Sequence, residues 1–175
     1  MKTRIFLIAV TAVFAVIITA YCTVVFYFYP LRHKPIVRSA AMEFEIDPIL
    51  IASIIRAESN FKHLATSPKG AKGLMQIMPA TAKFIVQKNG LDDWHYNLYD
   101  PEDNIRIGTM YLQYLFSRFY VTRTVIMAYN AGEGNVATWI ENGGGVAIET
   151  TPYPETNAYV DRVLNGMKFY KYRGL

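Results

Sequence analysis

The sequence predicts a mainly α-helical domain preceded by one apolar N-terminal helix. Apolar residues recur at i, i+3, i+4 and i+7 in several stretches, which puts them on one face of a helix. Two of those stretches open with Asp-Pro, an N-cap followed by proline at the first helical position. No stretch alternates apolar and polar residues as a half-buried strand would, so at most a small hairpin is expected in the loops.

The N-terminal element comes first. Ile5 to Tyr29 contains 25 residues without a charge. At about 1.5 Å per residue such a helix is roughly 37 Å long, enough to cross a bilayer with some tilt. Lys2 and Arg4 precede it, Arg32, His33 and Lys34 follow it, and Tyr27-Phe28-Tyr29 forms an interface-like aromatic cluster at its end. A cleaved signal peptide is the rival reading, with Ile18-Thr19-Ala20 as a poor cleavage site; the apolar run continues nine residues past Ala20, which favours an anchor. Lipidation at Cys22 is disfavoured by the bulky Tyr21 before it. Residues 1–4 are expected as a cytoplasmic tip, 5–29 as a transmembrane signal anchor, 30–35 as a tether and 36–175 as a single domain. Basic residues flank the span on both sides, so charge does not orient it.

Within the domain, Ile36, Ala40, Ala41 and Phe44 suggest a short first helix. Asp47-Pro48 caps the next, in which Ile51, Ile54, Ile55 and Glu58 share a face. Asn60 to Gly73, with Ser67-Pro68-Lys69-Gly70, reads as a loop. Pro79 opens a helix that should stop near Asn89-Gly90. Asp100-Pro101 then starts a long amphipathic helix marked by Ile105, Gly108, Leu112, Leu115, Phe116 and Phe119. A helix from about Thr122 should end at Ala131-Gly132, where glycine accepts the left-handed conformation. Asn142 to Gly145 is expected as a flexible turn, and a last helix from about Glu155 to Tyr172.

Composition excludes several classes. Cys22, the only cysteine, lies inside the apolar segment, so the domain has neither a disulfide nor a thiolate metal site. Setting aside Lys2 and Arg4, 16 basic residues face 14 acidic ones, too mild an excess for nucleic acid. His33, His63 and His95 are scattered and no HExxH, phosphate loop or Ser-His-Asp order stands out, so no metal and no cofactor is expected.

Glu58 is the most informative residue. A carboxylate on the face of Ile51, Ile54 and Ile55 either turns to solvent, where Arg56 or Lys62 can pair with it, or is desolvated with a raised pKa, the state general-acid cleavage of a glycosidic bond needs. Pattern alone leaves both open. Gly73-Leu74-Met75-Gln76 and Ala128-Tyr129-Asn130-Ala131-Gly132 have equally plain structural accounts, as a core-filling methionine beside a turn-capping amide and as a helix end with a packed tyrosine.

Together, however, Glu58-Ser59-x-Phe61, GLMQ at 73–76, AYNAG at 128–132 and Pro154-Glu155-Thr156-x-x-Tyr159-Val160 closely resemble the soluble lytic transglycosylase family, relatives of goose-type lysozyme. The resemblance covers about residues 36–172. It implies a lysozyme-like catalytic domain with a cleft for peptidoglycan glycan strands. By the family's pattern Glu58 matches the catalytic acid. Ser59, Gln76, Tyr129 and Asn130 match residues lining the cleft, Met75 an apolar wall, and Glu155 a supporting glutamate beside the site. One departure is Glu133, where relatives often have proline after AYNAG.

Most glycosidases use two carboxylates. Here Asp47 and Asp100 read as caps, and Asp92, Asp93, Glu102 and Asp103 lie in polar surroundings, so a mechanism with one carboxylate fits better. The resemblance implies that Glu58 protonates the oxygen between N-acetylmuramic acid and N-acetylglucosamine. It then accepts the proton of the muramic acid C6 hydroxyl as that group closes a 1,6-anhydro ring. The alternatives are a hydrolytic goose-type muramidase, in which Glu155 or a loop aspartate would hold a water, and a non-catalytic wall-binding scaffold module. The implied substrate places the domain outside the cytoplasmic membrane, facing the wall; protein partners are not legible.

Overall fold

The computed structural model describes residues 2–23, 30–143 and 148–172. The chain divides into an N-terminal unit up to Leu31 and a unit from Arg32 onwards.

The first unit is helix α1, Lys2–Thr23, 22 residues long. That is roughly 33 Å of helix, the thickness of a bilayer's hydrocarbon core. None of its residues is buried within the protein. Three of its threonine hydroxyls bond back to the helix itself. Thr11 donates to Ile8 O at 2.9 Å, Thr19 to Ala15 O at 2.8 Å and Thr23 to Thr19 O at 2.9 Å. Each hydroxyl thus carries its own partner into an apolar environment. The expected aromatic end of the span, Tyr27-Phe28-Tyr29, lies outside the described residues.

The second unit is all helix and loop. Its elements are α2 (Lys34–Phe44), α3 (Pro48–Ser59), α4 (Pro79–Lys88), α5 (Pro101–Phe119), α6 (Thr122–Ala131), α7 (Glu133–Gly143) and α8 (Pro154–Lys171). Both Asp-Pro caps form. Asp47 accepts from Ile49 N at 2.8 Å, and Asp100 accepts from Glu102 N and Asp103 N. Among the described residues the only strand-like pairing is two isolated bridges, Thr66 with Lys72 and Lys72 with Ile77, the small hairpin allowed by the sequence.

Two departures concern α7. The sequence reading assigned no helix there and expected a flexible turn from Asn142. The structure instead carries the helix through Asn142 and Gly143, while residues 144–147 lie outside the described set. Only Val136 of α7 is buried, so the helix shows almost no apolar stripe to read. It is held by side chains from other elements: Glu133 accepts from Arg118 and Tyr114 of α5, and Trp139 packs edge-on against Tyr153 at 5.2 Å.

The core is centred on α3, whose Leu50, Ile51, Ala52, Ile54 and Ile55 are all at most 1% exposed. Helix α8 lies along it. The crossing is close because Gly166 has no side chain: a Cβ there would stand 3.3 Å from Ser53 Cβ. Val160, Val163 and Tyr159 of α8 complete the contact, and burying them stabilises the pair by roughly 2 kcal/mol per large side chain. This α3–α8 pair brings the end of one helix against the start of the other.

Candidate active site

Helix α3 ends at Glu58-Ser59, and the chain leaves it through two successive left-handed residues, Asn60 (φ 49°) and Phe61 (φ 61°). A left-handed phenylalanine costs roughly 1–2 kcal/mol. The turn is offset by burial of the Phe61 ring, 1% exposed. Glu58 is thereby held on the last turn of a buried helix, with only part of its surface reaching solvent.

The partner the structure gives Glu58 is neither Arg56 nor Lys62. Tyr159, 2% exposed on α8, donates its hydroxyl to Glu58 Oε1 at 2.7 Å. Burial pushes the Glu58 carboxyl up to about 7, while the Tyr159 hydrogen bond and the Arg162 charge pull it down. Arg162 also stands over the Tyr159 ring, 5.8 Å from its centroid. Tyr159 itself is held well above the ordinary tyrosine range by burial, the Glu58 charge and Tyr129, so it remains a donor at every pH that matters here. With Oε1 engaged, Oε2 is the oxygen that can carry and release a proton.

Around this acid the GLMQ loop is built as a rigid platform. Gly73 adopts φ 76°, and a Cβ there would overlap Leu98 O and the Asn104 side chain. Asn104, fully buried on α5, satisfies three backbone groups: it accepts from Met75 N at 2.7 Å and donates to Lys72 O and Leu98 O at 2.9 and 2.8 Å. Ser59 donates to Leu74 O at 2.7 Å, which ties the platform to α3. The Met75 side chain packs inward against Gly108, where any Cβ would collide with its sulfur, and its carbonyl accepts the Tyr129 hydroxyl at 2.8 Å.

Gln76 sits at the rim with φ 50°. Its Nε2 donates to Ala65 O at 3.1 Å and to Gly73 O at 2.8 Å. Two carbonyl partners fix the amide's orientation and leave Oε1 as its acceptor for a ligand. A cleft of ≈ 210 Å³ opens beside it, lined by Gln76, Met78, Thr81, Tyr111, Tyr129 and Asn130 among others. Tyr111 and Tyr129 form its aromatic wall, with ring centroids 5.4 Å apart. The Tyr111 hydroxyl is pushed up to about 12 by burial, then by Glu133 and Tyr114. Tyr129 is also raised, by burial, Glu58 and Tyr111, so Glu58 faces two neutral phenols.

The structure therefore brings Glu58, Gln76, Tyr129 and Asn130 to one region, but distributes the other sequence candidates differently. Ser59 and Met75 are buried supports of the platform. Exposed Asn130 accepts from Thr156 of α8 at 3.0 Å. Glu155 is exposed in the first turn of α8, where a negative charge suits the helix N-terminus, and takes no part in these hydrogen bonds.

Tyr159 and Thr156 stand in the sequence motif Pro154-Glu155-Thr156-x-x-Tyr159-Val160 with no role attached to them there, and no motif marks Asn104 or Tyr111. A signal existed for Tyr159: it lies on the apolar face of α8, and a buried tyrosine hydroxyl needs a polar partner. Asn104 is likewise a polar residue on the helix face of Gly108 and Leu115.

The transglycosylase SLT domain family matches residues 35–151 of the chain. The soluble lytic murein transglycosylase of Escherichia coli K12 is 38% identical over 152 residues, which is 82% of this chain and 24% of that protein. The membrane-bound lytic murein transglycosylase C of Photorhabdus laumondii is 38% identical over 117 residues, 60% of this chain and 32% of that protein. Among solved structures, the 70 kDa soluble lytic transglycosylase of Escherichia coli superposes with a TM-score of 0.76 at 38% identity, over 82% of this chain and 25% of that one. That protein has also been solved with bulgecin A. An inactive glutamate-to-glutamine mutant of the lytic transglycosylase Slt from Pseudomonas aeruginosa gives 0.74 at 31% identity, over 85% of this chain and 25% of that one. The chain spans about a quarter of the length of the soluble relatives it matches.

Proposed function

The chain belongs to the transglycosylase SLT domain family, and from that premise we propose that it is a membrane-anchored lytic transglycosylase of peptidoglycan. The observation that carries the reading is Glu58: a carboxyl raised to about 7, bonded through one oxygen to a neutral tyrosine and near enough to Tyr129, which lines the cleft with the aromatic wall, for its charge to raise that phenol. An acid in that range is protonated in a useful fraction of molecules at neutral pH, and its conjugate base still accepts a proton.

The reaction then needs one side chain in two roles. Glu58 donates a proton to the oxygen linking N-acetylmuramic acid C1 to the next N-acetylglucosamine, and that bond breaks. The positive charge that develops at C1 would be steadied by the sugar's own acetamido group, which Gln76 Oε1, Asn130 and Tyr129 would orient. The C6 hydroxyl then attacks C1 while Glu58 recovers a proton from it, so the acid is regenerated and no water is consumed. Ring closure within one sugar requires only that the ring be held in the reactive shape. Among the described residues no second carboxylate is built into this arrangement: Glu133 is bound to Arg118 at 2.7 Å, and Glu155 is on the exposed start of α8.

The membrane half of the proposal rests on α1 and on the membrane-bound relative. Residues 1–4 would lie in the cytoplasm, residues 5–29 would span the bilayer, residues 30–35 would act as a tether, and the domain from residue 36 would face the wall.

Mass spectrometry of soluble fragments released from purified peptidoglycan by the full chain in detergent, beside Glu58→Gln, tests the activity. Fragments ending in 1,6-anhydro-muramic acid, absent with the variant, are expected. Reducing ends, one water heavier, would make the protein a muramidase, and no fragments from folded protein would favour a wall-binding module. Protease digestion of cells stripped of their wall tests the topology: a domain left uncut would refute it.

A further inference from the structure

One edge of the cleft beside Gln76 is the junction of α6 and α7, where Asn130, Ala131 and Gly132 line it. Gly132 adopts φ 87° and ψ 143°, a backbone shape open almost only to glycine. Nothing from the rest of the described protein lies within 4 Å of where its Cβ would stand. At that point neither packing nor a restricted backbone fixes the turn. The next residue, Glu133, opens α7 at the position where relatives often have proline, a residue that would fix φ near the helical value.

Glu133 instead offers a side chain. Its Oε2 accepts the Tyr114 hydroxyl at 2.7 Å and Arg118 Nη1 at 2.7 Å, both from α5. The same Nη1 donates to the Tyr114 oxygen at 3.1 Å, so the three groups close on one another. An exposed ion pair contributes little by itself. The half-buried tyrosine hydroxyl, bonded to a charged acceptor, is what gives this contact strength and direction. Tyr114 is itself held in place: Phe84 meets it edge-on at 5.3 Å, the Lys88 ammonium lies 5.2 Å from its ring centroid, and Tyr111 stacks on it at 6.3 Å with the planes 20° apart. Tyr111 is part of the aromatic wall of the cleft and lies close enough to Glu133 for that charge to help hold its phenol neutral. One chain of contacts therefore runs from the Gly132 edge through Glu133 and Tyr114 to the Tyr111 wall.

Resting on the reading of this cleft as the glycan site, we propose that Glu133 is a positioning residue: through Tyr114 it fixes the α6–α7 edge of the cleft against the Tyr111 wall, and so preorganises the cleft for the strand. Glu133 touches no reacting atom. Its influence passes through Tyr114 to Tyr111 and through Gly132 to Asn130, two residues that line the cleft. A cleft already in its binding shape spends less of the interaction free energy on ordering itself. Glu133 therefore acts on affinity for the sugar chain, and the number of folded molecules able to bind is not what it sets.

The test is calorimetric binding of a tetrasaccharide of alternating N-acetylglucosamine and N-acetylmuramic acid, measured on the full chain in detergent carrying Glu58→Gln so that no turnover occurs. Adding Glu133→Ala should weaken binding by about tenfold at unchanged stoichiometry. Glu133→Gln keeps an acceptor for Tyr114 and should stay within about threefold of the Glu133 protein. Tyr114→Phe keeps the ring and should weaken binding on its own, yet add less than about twofold to Glu133→Ala, because both remove the same contact. An unchanged Kd in Glu133→Ala, a loss of stoichiometry alone, equal weakening by Glu133→Gln, or additive effects of Glu133→Ala and Tyr114→Phe would each overturn the proposal. So would an absence of binding by the protein with Glu133 intact. The transglycosylase reading is judged separately, from the anhydro ends released by the wild type, so its failure and the failure of the Glu133 proposal are distinguishable.

Discussion

Tyr159→Phe removes one hydroxyl and keeps the ring that packs α8 against α3, so it isolates the hydrogen bond that holds Glu58. A hydrogen bond to a charged acceptor contributes about 1.5–3 kcal/mol. It favours the carboxylate over the acid, and one pH unit corresponds to about 1.4 kcal/mol. Loss of the 2.7 Å bond should therefore raise the Glu58 carboxyl above its value of about 7. Water can reach part of Glu58 and will replace some of the lost bond, so the rise should lie at the lower end, about one pH unit. The assay is the pH dependence of kcat/KM for release of anhydro-ended fragments. Its alkaline limb marks ionisation of the general acid in the free protein. In the wild type that limb should fall near 7, and in Tyr159→Phe it should move up by about one unit. Carbon-13 NMR of the Glu58 side chain would follow the same titration without turnover. A limb that stays in place or moves to lower pH would refute the idea that Tyr159 tunes the acid.

Other predictions follow from the same groups. Glu58→Gln should be more stable than the wild type above pH 7, by at most about 3 kcal/mol, because ionising a buried carboxyl costs stability. Since the folded state holds its proton more tightly than the unfolded chain, the wild type is relatively most stable below about 4.5. It loses that advantage as pH rises through about 7, so thermal denaturation should show the gap closing as the pH falls to 4. Asn104→Ala should cost about 3 kcal/mol in urea unfolding, because it leaves Met75 N–H, Lys72 O and Leu98 O buried without their partner. Gly73→Ala should cost a similar amount, about 2–4 kcal/mol, through its positive φ and its overlap with Leu98 O. Glu133→Ala should make Tyr111 ionise more readily, visible as tyrosinate absorbance at lower pH, since the neighbouring negative charge helps hold that phenol neutral.

The helices were legible wherever an apolar stripe and a cap coincided, as at Asp47-Pro48 and Asp100-Pro101. Helix α7 was not, because it buries only Val136 and is held by side chains from other elements. The site was legible as motifs and only partly as geometry. The sequence singled out Gln76, but its left-handed φ and doubly anchored amide depend on Ala65 and Gly73 carbonyls brought to it by the loop. Ser59 stood out beside Glu58, yet its hydroxyl is spent on Leu74 O, 15 residues away. Tyr159 lies 101 residues from Glu58, and no periodicity within one helix can report a contact between two. Local signals show which face a residue occupies; they do not show what the opposing face presents.

The meeting of α3 and α8 explains why a single carboxyl can serve as both acid and base. Burial alone would drive the Glu58 carboxyl above about 7 and leave an acid that gives up its proton less readily. The Tyr159 hydroxyl and the Arg162 charge oppose that drive from the other helix. The two influences come from separate elements, so the balance is set by how closely those elements pack. Gly166 allows the close approach, with Ser53 only 3.3 Å from where its Cβ would stand. A side chain at Gly166 would press α8 away from α3 and lengthen the 2.7 Å bond two turns earlier. The position of Glu58 on the pH scale is therefore a consequence of helix packing, and a substitution distant from the sugar should change the chemistry by moving Tyr159.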